Sequence, residues 1–101
     1  MKFLTFTMFD TAKAADIAQI GDKVANTPGQ KFITQYVCQG IPFPGVPTNV
    51  LVSIAVTEAE TNEAMSAVHY PLALAGATIW SVPVLELPVA GASEEEKKYR
   101  G

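Results

Sequence analysis

Nine residues, Asn49 to Thr57 (NVLVSIAVT), constrain the fold of this chain more than any other stretch. Strand side chains alternate, so Val50, Val52, Ile54 and Val56 share one face and Leu51, Ser53, Ala55 and Thr57 the other. The first face is wholly β-branched and calls for an apolar cover. The second is small and mildly polar but uncharged, which is unusual for a face turned to bulk water. A second run, Lys2 to Phe9, repeats the pattern. Leu4, Phe6 and Met8 alternate there with Phe3, Thr5, Thr7 and Phe9. Two such runs in one short chain predict neighbouring strands of one sheet.

Between and after them the period changes. Asp10 is placed to cap a helix over Thr11 to Asn26, its carboxylate accepting an orphan backbone N–H. Ala14, Ile17, Ala18, Gly21, Val24 and Ala25 fall at helical spacing, with Lys13, Asp16, Asp22 and Lys23 turned outward. The small residues of that stripe predict close packing on a sheet, and Pro28-Gly29 ends the helix. Lys31 to Gln39 reads as the next strand. Gly40 to Thr48 (GIPFPGVPT) has three prolines and two glycines in nine positions, so neither a helix nor a strand interior fits it. Two readings of that loop stand side by side: a stiff connector packed on its own sheet, or an arm that grips a second subunit or covers a pocket. Thr57 to Glu60 matches a capping box, which starts the second helix there and runs it to about Tyr70 with Ala64, Met65 and Val68 inward. Pro71 then breaks it or opens a further turn that Gly76 closes. Thr78 to Val89 reads as the last strand, and Pro83 within it places that strand at a sheet edge or a bulge.

The order β-α-β-β-α-β describes an α+β chain, the ferredoxin-like sandwich of one antiparallel sheet with both helices on one face. Its first and third strands are central. Residues 1–89 form the single domain, and residues 90–101, with Glu94, Glu95, Glu96, Lys97, Lys98 and Arg100, form a charged, solvated tail, flexible or partly helical. On this reading the helices cover the Leu4/Phe6/Met8 and Val50/Val52/Ile54 face. The opposite face, with Thr5, Thr7, Ser53 and Ala55, then lacks a cover from within the chain, and a second copy is the economical one.

Such a chain, opening MKFLTFTMF, carrying EAETNEAM in its second helix and closing on SVPVLELP, resembles the dimeric α+β-barrel superfamily. It is most similar to the small families there still labelled domains of unknown function. The resemblance covers about Met1 to Val89 and rests on element order and the character of the segments, with no diagnostic motif. It implies two sheets facing each other across a two-fold axis around a central cavity. The superfamily includes cofactor-independent monooxygenases, lactone isomerases, polyketide cyclases, haem enzymes and proteins with no known activity, so the fold by itself does not choose among them.

The remaining composition bounds the function. An apolar fraction of 49% against 17% charged residues, in 101 residues, describes one domain with a greasy surface to hide. The net charge of −3 argues against general nucleic-acid binding. One cysteine, Cys38, makes no internal disulfide, and a reducing cytoplasm is the default compartment. The opening run is interrupted by Thr5 and Thr7, stops at Asp10 and lacks a secretory cleavage site. No run approaches the roughly 20 apolar residues of a membrane span.

Thr5, Thr7, Tyr36, Ser53 and Trp80 are the candidate ligand-binding residues, on a sheet face or its edge strands. Tyr36 and Trp80 serve equally as packing aromatics. His69, the single histidine, is the candidate proton-transfer residue, or else a helix-end histidine interacting with the last carbonyls. One histidine and one cysteine make no metal site, and no motif names a cofactor. Three functions follow. The first is a homodimer holding a small, mostly apolar molecule between its sheets without chemistry. The second is a cofactor-independent enzyme, of monooxygenase, isomerase or cyclase type, on an aromatic or polyketide-like substrate. The third is a structural or protein-binding module with a dry dimer interface.

Overall fold

The computed structural model describes residues 1–100. Four strands, β1 (Lys2–Asp10), β2 (Gln30–Val37), β3 (Val50–Ala59) and β4 (Thr78–Pro83), form one sheet in the order β2-β3-β1-β4. Every neighbouring pair is antiparallel. Three α-helices accompany it: α1 (Ala14–Val24), α2 (Asn62–Leu74) and α3 (Ala92–Lys97). The architecture is α+β, with β1 and β3 inside the sheet and the proline-bearing β4 at an edge.

Local chemistry sets most boundaries. Asp10 caps as its position suggests, accepting a bond from the Ala12 N–H at 2.9 Å at the head of a 3-10 turn (Thr11–Lys13) that leads into α1. The start of α2 differs from expectation. β3 continues to Ala59, because Lys2 to Asp10 pairs with Val50 to Glu58 along its whole length and Thr57 lies wholly buried inside that ladder. Thr61 is the cap instead, its hydroxyl accepting from the Ala64 N–H at 3.1 Å. The helix also continues through Pro71 to Leu74; the proline removes one hydrogen bond near its end without ending it. Gly76, at φ 102°, then reverses the chain into β4. That strand stops at Pro83, not Val89: one more backbone bond follows, the Val84 N–H donating to the Lys2 carbonyl at 3.0 Å, and there β1 itself begins, leaving no further partner strand.

The largest departure concerns which face the helices take. Phe9 packs in one cluster with Ile17 and Val24 of α1 and Val68 and Leu72 of α2, joined by Phe32, Leu51 and Ile79. Phe3 joins Ala59, Ala64 and Met65 in a second. The covered face therefore carries Phe3, Thr5, Thr7 and Phe9 of β1 and Leu51, Ser53, Ala55 and Thr57 of β3, residues brought side by side by the register. Leu4, Phe6, Met8, Val50, Ile54 and Val56, assigned to the helices from sequence, lie on the other side and are only half-buried. Hydroxyls do not prevent burial of the first face, because they bond to one another. Thr5 reaches Thr57 at 3.1 Å and Ser81 at 2.8 Å.

The proline-rich loop lies on the opposite face. Phe43 meets Trp80 edge-on with ring centroids 6.4 Å apart, and Trp80 stacks on Phe6 at 5.1 Å and 12°. Val46 of the loop is buried, and Val52, on that strand face, is 1% exposed. The loop thus packs on its own sheet and covers part of the apolar face. The C-terminal segment is partly helical: α3 and the residues just after it carry the ion pairs Glu94–Lys97, Glu95–Lys98 and Glu96–Arg100, and α3 buries none of its residues.

Candidate functional site

Between α1 and the sheet lies a cleft of about 480 Å³. Its floor is the covered sheet face, with Thr5, Thr7 and Phe9 from β1, Leu51, Ser53 and Ala55 from β3, and Ile79 from β4. Ile17, Ala18, Gly21 and Asp22 of α1 and Val68 and Leu72 of α2 form the roof. Phe32, Gln35 and Val37 of β2 border it, and the exposure of Gln35, Val37, Ala18 and Asp22 puts the mouth between α1 and the β2 edge.

The small residues of α1 explain the opening. Ala18 and Gly21 were expected to let the helix settle against the sheet, but the helix stands off. A Cβ placed on Gly21 would meet nothing within 4 Å. Ile17 and Val24, one turn to either side, reach the core and hold α1 at that distance. Large side chains at the ends and small ones in the middle leave a void, because close packing needs atoms on both sides of a contact.

The candidate residues separate into three groups. Thr5, Thr7 and Ser53 all line the cleft floor, although under the helices and not against a second sheet. Tyr36 borders the cleft, but its partner across the ladder is Ile54, so its side chain belongs to the opposite face, where it is 64% exposed. Trp80 faces Phe6 across β1 and β4 and lies wholly on that opposite face. The five residues therefore do not form one site.

His69 is tied to the covered face through Ser81, its Nε2 2.7 Å from the Ser81 Oγ. With Thr5 and Thr57 this makes a chain of four hydrogen-bonded side chains running from α2 across β4 and β1 to β3. Burial pushes the His69 imidazole below its ordinary value of 6.5, so the neutral ring is favoured at pH 7. His69 is not among the residues that line the cleft, and among the described residues no carboxylate orients its ring. Its geometry is that of a bridging, structural hydrogen bond, without the reach that proton transfer to a molecule in the cleft requires.

Phe9, Phe32, Leu51, Asp22 and Gln35 also line the cleft and were not among the candidate residues; Asp22, expected to turn outward, is exposed but borders the mouth. The signal that pointed to them was the Ala18/Gly21 stripe, read as a packing surface. Among the described residues no group of His, Cys, Asp or Glu side chains is placed to hold a metal ion, and no helix is long and apolar enough to cross a membrane. The sequence matches no protein-family model and no curated protein.

Proposed function

We propose that this chain is a ferredoxin-like α+β protein that holds a small, mostly apolar molecule in the cleft beneath α1, and that two copies pair through their open sheet faces as a dimeric α+β barrel. The cleft carries the first part. Its volume of about 480 Å³ falls in the range of small-molecule sites, roughly 300–1,000 Å³, and its walls are mainly apolar with a few hydroxyl and amide groups.

The open face supports the second part. Leu4, Phe6, Met8, Ile54, Val56, Trp80 and Val82 share that face, half-buried except for Val82 at 43% exposure, with Lys2 and Glu58 at its end and the proline-rich loop over part of it. An apolar face that its own chain covers only in part favours association, and a two-fold axis lets one face serve as its own complement. The pairing face is thus the one that carries Trp80, while the ligand face is the one that carries Thr5, Thr7 and Ser53.

Native mass spectrometry of the protein as purified tests both parts. The expected species is a dimer with excess mass corresponding to one small molecule per chain. A bare monomer at micromolar concentration would overturn the reading. No observation favours the enzymatic alternative, since the one histidine is engaged by Ser81 outside the cleft.

A further inference from the structure

The charges and aromatic rings around the cleft narrow what it can hold. Among its lining residues there is one carboxylate, Asp22 at the mouth, and no lysine, arginine or histidine. Asp22 and Gln35 flank the entrance from opposite sides, one on α1 and one on β2. An anionic ligand would find no cation there and would approach a negative group in a chain of net charge −3. Deeper in, Phe9 and Phe32 give ring surfaces on which an aromatic body can stack or a cation can rest. Thr7 and Ser53 face each other across β1 and β3 and stand outside the hydrogen-bonded chain that occupies Thr5, Thr57, Ser81 and His69. Each hydroxyl can accept a bond from an N–H or donate one to an oxygen.

We infer that the cleft takes an aromatic amine, its rings against Phe9 and Phe32 and its ammonium towards Asp22, and discriminates against aromatic carboxylates. This rests on the cleft being a ligand site at all. Opposite charge at the mouth and the absence of a basic side chain among the lining residues act in the same direction. Because Asp22 is exposed and partly screened, the discrimination is moderate, about tenfold between ammonium and carboxylate at low ionic strength.

The test uses three probes of matched shape, naphthylethylamine, naphthylethanol and naphthylacetate, titrated calorimetrically against the intact protein. The amine is expected to bind about tenfold tighter than the acetate, with the alcohol between, and added salt to narrow the spread. Asp22→Asn should bring the amine to the affinity of the alcohol. Gly21→Leu, which places a side chain in the cleft, should weaken all three together. Equal affinity for amine and acetate, or a preference that survives Asp22→Asn, would overturn the charge assignment while Gly21→Leu still located the binding in the cleft. Failure of all three probes to bind would overturn the cleft reading with it.

Discussion

Replacing Gly21 by alanine asks directly whether α1 stands off the sheet. Gly21 sits inside α1, between Ile17 and Val24, with ordinary helical backbone and no positive φ. A glycine in a helix interior costs about 0.5–1 kcal/mol relative to alanine, chiefly through the freedom it loses on folding. The added methyl meets no heavy atom within 4 Å, so nothing in the folded state offsets the gain. For a domain of this size the melting temperature should rise by roughly 2–8 °C. Thermal unfolding followed by circular dichroism measures it, with urea unfolding in parallel to show an unchanged m value and therefore an unchanged surface exposed on unfolding. If the Ala18/Gly21 stripe were instead seated against the sheet, as helical spacing alone suggests, the methyl would be forced into packed atoms at a cost of about 1–3 kcal/mol. The sign then reverses. A lowered melting temperature would refute the stand-off, and the cleft with it.

Other outcomes test the remaining parts. Val82→Glu puts a charge at a 43% exposed position of the open face, where a monomer tolerates it and a sheet-to-sheet dimer does not. Sedimentation should show monomer with an unchanged far-ultraviolet spectrum, and a persisting dimer would remove that face from the interface. Thr5→Val strips a 3% exposed residue of its hydroxyl and deprives fully buried Thr57 of its bond, for an expected loss of about 1–3 kcal/mol in urea unfolding; a neutral result would mean that Thr57 bonds elsewhere. Because burial lowers the His69 pKa in the folded state, the unfolded chain binds more protons. Stability that is full above pH 6.5 should therefore decline as the pH falls through that value towards the folded pKa. The stability difference between the wild type and His69→Gln should shrink between about pH 7.5 and about pH 5.5, and a constant difference would exclude His69 as its source. Deletion of residues 92–101 removes a helix that buries nothing, so the melting temperature should hold; a large fall would show that the segment docks.

The element types were legible because each rests on chemistry local to the chain. Period-two runs made β1 and β3, helical spacing made α1, the carboxylate of Asp10 capped the 3-10 turn that leads into it, and β4 with its Pro83 lies at the edge. Boundaries were harder where two local signals competed. Thr57 and Thr61 each stand three residues before a glutamate or an alanine at the head of a helix, and the capping-box spacing favours Thr57. Pairing with β1 recruited Thr57 into the sheet and left the cap to Thr61, a choice made by residues more than 50 positions away.

Of the site, Thr5, Thr7 and Ser53 were identified together because they share one strand face, and the structure keeps them together on the cleft floor. Trp80 and the Tyr36 side chain fell on the other face, since edge-strand register depends on the Ile33 bulge in β2 and on the start of β4, neither of which alternation reveals. In β1 and β3, which pair without a bulge, the sequence by itself determined which residues share a face: alternation is a property of the extended backbone and needs no partner. Which face the helices cover was decided only in three dimensions. The β1-α1-β2 connection must cross in one hand over a twisted sheet, and that geometry, together with the strand register, sets the side on which α1 and α2 land. Hydroxyls that bond to one another make the Thr/Ser face burial-competent, while the β-branched face is left to a proline-rich loop and to whatever else meets it.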